Sequence, residues 1–357
     1  MKTNRYLDSE ILIQMNQEIL KEDVRLFAEQ FELRDQLRGK SFLITGATGL
    51  IGSVLIRCLH SLNEMYNLDI RMIAVVRNLE KAKSIFGETM NDIQILQLPL
   101  TDVKPDNVHG DVDYIVHLAS PTAGSYMEQH PLETFNLAYQ STYNLLNFAH
   151  NKNSEGFVYI SSLEYYGQIF EDKIISENVQ GYVDPVSTRS SYPMGKRAAE
   201  YLCFAFAKEF GTPAKVARLT QTLGAGVSEN DNRVFAQFAR SVIKGEDIIL
   251  HTKGESAKPY CYTTDCISAI LYILLNGEKG EAYNVANTDT YISIRNLAEY
   301  MKEQFAPSIS VRIVQTDGLG YAPVTKLRLS TEKLEALGWK PQVGKREMFD
   351  RLIKFIC

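Results

Sequence analysis

No cysteine pattern in this 357-residue chain suggests a metal centre or a disulfide framework. Its five cysteines (Cys58, Cys203, Cys261, Cys266, Cys357) are scattered, odd in number and without a C-x-x-C pair. Free thiols in the cytoplasm, and no metal site, are therefore expected. A basic excess is missing too. A formal charge of -5 with 23% charged residues describes an ordinary soluble protein and leaves nothing to attract nucleic acid. Long hydrophobic runs are also absent: "AILYILL" (269–275) falls far short of the roughly 20 residues a membrane helix needs. The opening "MKTNRYLDSEILIQ" lacks the apolar core of a signal peptide, and no internal repeat or low-complexity segment occurs. The length allows one large domain or two lobes with a substantial core.

From Ser41 onward, short apolar segments alternate with helical patterns. The apolar segments are "FLITG" (42–46), "RMIAVVR" (71–77), "IQILQLP" (93–99), "YIVHLAS" (114–120), "GFVYISS" (156–162) and "AKVARLT" (214–220). Helical stretches fall near 50–62, over 131–150 and over 192–210. Strands apolar throughout, separated by helices, imply a parallel sheet covered on both faces. The expected fold is α/β, a Rossmann-like doubly wound sheet over 39–220. A smaller α/β substrate lobe should occupy 221–357 and return in part to that sheet. Residues 1–38 form a helical extension, with apolar Leu12, Met15, Ile19, Leu20, Val24, Phe27 and Phe31 at helical spacing. It should cover an edge or a subunit contact rather than do chemistry. Strands are also expected at "DIILH" (247–251) and over 310–315.

"ITGATGLIGS" places Gly46, Gly49 and Gly52 between the first strand and a helix. Glycines there permit a tight turn, close backbone approach to a pyrophosphate and close helix–strand packing. The helix N-terminus offers free N–H groups to the phosphates. The second strand ends in Arg77, where a carboxylate usually meets the ribose hydroxyls. A guanidinium could grip a 2′-phosphate, so NAD(P) is the expected cofactor, with NADP(H) favoured.

"YISSLEYYG" (159–167) ends a strand with two serines and Glu164, and "YPMGK" (192–196) follows. Tyr192 and Lys196, four apart, share one helix face, and Pro193 suits a first helical turn. A phenol is a poor base at neutral pH. A lysine ammonium and an oxidised nicotinamide nearby would favour the phenolate; a fall of about 3 units corresponds to roughly 4 kcal/mol. A serine hydroxyl from the adjacent strand end would hold the substrate oxygen.

With these motifs the chain resembles the extended short-chain dehydrogenase/reductases, in the nucleotide-sugar epimerase/dehydratase/decarboxylase branch. The resemblance runs from about Lys40 to the C-terminus and includes "HLAS" (117–120), "RLTQTLGAG" (218–226) and "LGWKP" (337–341). It implies Tyr192 as acid/base, Lys196 on the nicotinamide ribose, and Ser162 orienting the reacting oxygen. Thr48, Leu50, Ile51, Leu118, Ala119 and Ser120 join the glycines and Arg77 in binding the cofactor. Glu164 falls where the family's dehydratases and sugar-acid decarboxylases carry a glutamate. Leu163 replaces the aspartate that dehydratases place before it. "AKPYCYTTD" (257–265) resembles a nucleotide-contacting segment, with Lys258 in its arginine position and a terminal aspartate. Gln221, Arg233 and His251 resemble further substrate contacts. Pro99 and Ala138 depart from the family's aspartate and asparagine.

The resemblance implies an enzyme acting on a nucleotide-diphosphate sugar through a 4-keto intermediate, as a homodimer. A reductase consuming NADPH is an alternative. A non-catalytic NADP(H) sensor is another, although such sensors typically lack the Tyr–Lys pair.

Overall fold

A computed structural model describes residues 3–104, 107–121, 124–171, 173–315 and 324–357, with side chains from Gln17 onward. Its first part comprises α1 (Thr3–Gln30), β1 (Ser41–Thr45), α2 (Leu50–Tyr66), β2 (Arg71–Val76), α3 (Leu79–Phe86), β3 (Ile93–Gln97) and β4 (Tyr114–His117). Next come α4 (Gly124–Gln129), α5 (Pro131–Asn151), β5 (Gly156–Ser162), β6 (Ile174–Ile175), α6 (Ser191–Glu209) and β7 (Ala214–Leu219). The last third holds β8 (Gln221–Leu223), α7 (Val234–Lys244), β9 (Ile248–Leu250), β10 (Ala257–Tyr262), α8 (Thr263–Asn276), β11 (Ala282–Val285) and β12 (Asn287–Ser293). It ends with α9 (Ile294–Phe305), β13 (Val311–Ile313), β14 (Arg328–Leu329), α10 (Glu332–Glu335) and α11 (Lys345–Ile356).

Seven strands form a parallel sheet in the order β11-β7-β5-β4-β1-β2-β3. The uniform apolarity of the strands conceals an alternation of faces. Phe42, Ile44, Val116 and Val158 enter one core, with α2 and α8; Leu43, Ile115, Phe157 and Tyr159 enter the other, with α5 and α6. Both faces are dry, which is why every strand position had to be apolar. The strand order reverses between β1 and β4, and a crevice at the carboxyl ends of strands opens at such a switch point.

A third core joins α7, α9 and α11 to a mixed three-stranded sheet, β12-β10-β8. Short pairs β13–β9 and β14–β6 complete the lobe, while β11 joins the large sheet beside β7. The strand over 310–315 is shorter than expected, spanning only Val311–Ile313. Its residues are half-buried or exposed, so little packing extends it.

The N-terminal helix departs from expectation. It lies across α2, α8 and α11 instead of covering a sheet edge. Val24, Phe27, Ala28 and Phe31 are buried in the first core, and Phe31 meets Tyr272 of α8 edge-on. Asp23 binds the Tyr262 hydroxyl at 2.5 Å and Arg351 at 2.7 Å. Apolar residues every three or four positions match the grooves of neighbouring helices. Leu12 and Met15 lie outside the described side chains. All five cysteines are free, and only Cys357 is exposed.

Candidate active site

β1 enters the glycine loop at Gly46, whose φ is +66°. A Cβ there would stand 2.8 Å from the backbone nitrogen of Ala119, so only glycine lets β1 approach the exit of β4 this closely. A Cβ on Gly52 would overlap the Gly46 carbonyl oxygen. Gly49 caps α2 without any side-chain hydrogen bond and is exposed, leaving the helix's first N–H groups open. Thr48, Leu50 and Ile51 are half-buried around this turn, as are Leu118, Ala119 and Ser120 opposite.

Below the loop, His117 Nδ1 lies 2.7 Å from Thr45 Oγ1, and its Nε2 lies 3.2 Å from Ser141 Oγ. Burial, reinforced by the Lys196 charge, lowers its pKa to about 3, so this link between β1, β4 and α5 is neutral. The donor set fits a dinucleotide. An uncapped helix N-terminus suits phosphates, and the buried Ser120 hydroxyl has no well-directed partner.

β5 ends at Ser162, whose hydroxyl accepts from Glu164 N at 3.2 Å and starts a single 3₁₀ turn over Leu163–Tyr166. Gly167, at φ +66°, closes it. Ser161 and Leu163 are buried, whereas Ser162 and Glu164 reach towards the cleft. Tyr192 begins α6, beside Ser162 and Ser120. One turn later, Lys196 Nζ donates to the Ile160 carbonyl at 2.7 Å and stands 5.4 Å from the Tyr192 ring centroid. Ala138, where an asparagine was expected, has a packing role: a Cβ on Gly195 would meet its Cβ at 3.1 Å, so both small residues let α5 and α6 pack closely.

Burial raises the Tyr192 phenol well above its usual value, and the Glu164 charge adds to this; Ser162 and Ser120 oppose it. Without cofactor the phenol is therefore firmly protonated, and the lysine alone does not create the base. Lys196 falls to about 8 because burial outweighs Glu200 and Glu164. Glu164 is open to water along the cleft but enclosed by protein mass. Desolvation therefore raises its carboxyl, against the pull of Lys258, Arg189 and Lys196.

On the lobe side, Gln221 pairs with Tyr260 where β8 meets β10, and Lys258 lies two residues earlier on β10. Burial lowers the Lys258 ammonium, Glu164 raises it and Arg233 lowers it again, so the three groups share one field. Arg233 is bound through Nη2 and Nε to Asp231 at 2.6 and 3.0 Å, donates to Thr222 O at 3.1 Å, and covers the Phe235 ring. His251 follows β9 and is exposed. Arg77 is exposed just past β2, close enough for its charge to act on Tyr126 of α4. Asp265 accepts from the backbone N–H groups of Gln342 and Val343, at 2.9 and 3.0 Å, securing the C-terminal segment to the lobe.

Arg189 escaped the sequence reading. It lies three residues before Tyr192, and only the fold brings its charge to Glu164.

A glycine loop at the switch point of a doubly wound sheet, with a Tyr–Lys helix over the next strand end, defines a dinucleotide-dependent oxidoreductase class. Residues 42–286 match the NAD dependent epimerase/dehydratase family. UDP-glucuronic acid decarboxylase 5 of Arabidopsis thaliana is 30% identical over 66% of this chain and 68% of its own. UDP-glucuronic acid decarboxylase 6 of the same plant is 27% identical over 85% of each chain. The UDP-glucuronic acid 4-epimerase of Bacillus cereus shares the fold, with a TM-score of 0.74 at 18% identity over 88% of this chain and 98% of its own. The chain belongs to the NAD-dependent epimerase/dehydratase family and is an NAD-dependent enzyme of that type.

Proposed function

We propose that the protein oxidises the C4 hydroxyl of a nucleotide-diphosphate sugar and carries the 4-keto sugar onward without losing water. The carrying observation is the cluster at the end of β5. Tyr192, Ser162 and Ser120 converge there, while Glu164 shares a field with Lys258 and Arg189. The bound nicotinamide would take two electrons from the carbinol carbon and later return them. Tyr192 moves the hydroxyl proton, Ser162 orients that oxygen, and Lys196 supplies the positive charge that favours phenolate. Gln221, Arg233, His251 and Lys258 would line the nucleotide side.

Leu163 is buried and apolar where water loss would need a general acid. Three cations around one carboxylate leave positive charge for a sugar bearing a carboxylate of its own. A C4 ketone lies β to such a C6 carboxylate, so carbon dioxide can leave and its bonding electrons pass into the enolate, which is then protonated. The decarboxylases among the relatives are consistent with this order.

Mass spectrometry of purified protein incubated with a panel of nucleotide sugars, uronic acids included, tests the reading. The expected product is lighter by carbon dioxide, or an isobaric epimer; one lighter by water defeats the proposal. Glu164→Gln should retain cofactor and nucleotide binding while turnover falls about tenfold or more, the low side for a positioned acid/base group. An unchanged rate would leave Glu164 with no more than a structural place in the 3₁₀ turn that Ser162 caps.

Arg77 supports a second reading, that NADP(H) binds at least as well as NAD(H) and that the enzyme reduces a nucleotide-linked keto sugar. Fluorescence titration of both cofactors against wild type and Arg77→Asp decides this. Wild-type preference for NAD, unaltered in the variant, makes Arg77 a bystander. A homodimer belongs to the proposal, with exposed Leu132, Tyr139 and Tyr143 on one face of α5 as its apolar surface.

A further inference from the structure

Beneath the Tyr–Lys pair lies a buried ion pair that the proposed chemistry does not use. Glu200 and Arg218 have side chains 0% and 2% exposed, with Nη2 to Oε2 at 2.7 Å. Nε of Arg218 adds bonds to both carboxylate oxygens, at 3.1 and 3.0 Å. Its remaining nitrogen donates to the Tyr166 hydroxyl at 3.1 Å and the Glu177 carbonyl at 2.7 Å, and the guanidinium covers the Tyr165 ring at 3.5 Å. Replacing such a pair by apolar residues is often neutral or stabilising, so stability alone is a weak reason for it.

Its position suggests another reason. Glu200 follows Lys196 by four residues on α6, on the same helix face and within the same dry layer. Lys196 has one directed hydrogen bond, to Ile160 O, and lies 4.8 Å from the Tyr159 ring centroid. Charged and titratable groups from several elements surround the two. From α6 come Tyr192, Arg197 and Cys203; from β5, Tyr159; from the turn after β5, Glu164; from β4, His117; and from β7, Arg218.

His117 is neutral, and Glu164 stands at the open cleft. Glu200 is therefore the permanently enclosed anion available to the lysine. Held by three bonds from Arg218, it cannot swing towards Lys196 and draw the ammonium away from the cleft. We propose that Glu200, pinned by Arg218, is a positioning residue for Lys196: it keeps the lysine charged while leaving that charge free to act on Tyr192 and the cofactor ribose.

This rests on the reading of Lys196 above, but its test does not use turnover. The pH dependence of Lys196 acetylation by trace acetic anhydride, followed by peptide mass spectrometry, reports the lysine's own titration. Wild type should titrate at about 8. Glu200→Gln removes the carboxylate's support, so Lys196 should lose its proton at least one pH unit lower. Its labelling at pH 7 should then rise about fivefold relative to an exposed lysine. A folded Glu200→Gln protein in which Lys196 titrates as in wild type overturns the proposal.

If that variant does not fold, Glu200→Gln with Arg218→Met removes the guanidinium that would otherwise be left buried without its carboxylate, and Lys196 is read in the same way. A downward shift supports the role; an unchanged titration makes the pair purely structural. If Tyr192→Phe stayed active, the catalytic reading would fail, yet the labelling would still answer for Glu200.

Discussion

Tyr192→Phe is expected to reduce turnover by about 10²- to 10⁴-fold while leaving the fold and cofactor binding nearly intact, the range a positioned acid/base group supplies. The ring, which phenylalanine keeps, provides the packing and faces the Lys196 ammonium. What disappears is the hydroxyl beside Ser162 and Ser120, the only atom of the side chain able to exchange a proton with substrate. Losing one hydroxyl with such neighbours costs about 1 kcal/mol of stability. Single-turnover kinetics, melting temperature and cofactor titration on one preparation separate these effects. Turnover within threefold of wild type would remove Tyr192 from the chemistry.

Gly46→Ala is expected to damage both stability and the cofactor site. Its left-handed φ of +66° costs alanine about 1 kcal/mol. The new Cβ would also press on the backbone nitrogen of Ala119 at 2.8 Å and the carbonyl carbon of Leu118 at 2.9 Å. Backbone atoms at the strand exit cannot rotate away as a side chain would. Overpacking of this kind costs about 1–3 kcal/mol. Separating β1 from the β4 exit also displaces the Ser120 side of the cleft, and dinucleotide affinity should fall by more than about tenfold, roughly 1.4 kcal/mol. Gly39→Ala is the control. Gly39 has φ +70°, but a Cβ added there would meet nothing within 4 Å, so only the conformational cost applies. If Gly46→Ala proves no worse than Gly39→Ala in melting, and binds cofactor as wild type does, close approach at the loop is not what the glycine is for.

Much of the cleft could be read from spacing because its parts are local. Gly46, Gly49 and Gly52 sit on one turn, and Tyr192 and Lys196 on one helix face. Local geometry follows from a few consecutive φ and ψ angles, and sequence reports those well. The lobe side of the cleft was less legible in the sequence. Arg233 carries the charge expected of it, but Asp231 shares that charge. Asp265, the terminal aspartate of the segment over 257–265, is committed to the backbone N–H groups of residues 342 and 343, partners that lie far along the chain from that segment.

By itself, the sequence determined the doubly wound parallel sheet, the glycine loop and the helix bearing Tyr192 and Lys196. Strand apolarity, helical period and the conformational freedom of glycine act over a few residues and leave a visible pattern. Tertiary structure alone decided where α1 rests, that the charges of Arg189 and Lys258 act on Glu164, that Ala138 lets α5 approach α6, and that Glu200 and Arg218 lie sealed beneath Lys196. Each of those depends on groups far apart in the chain. Their protonation and partners are set by burial and by neighbours' charges, which exist only once the lobe and the sheet have closed on one another.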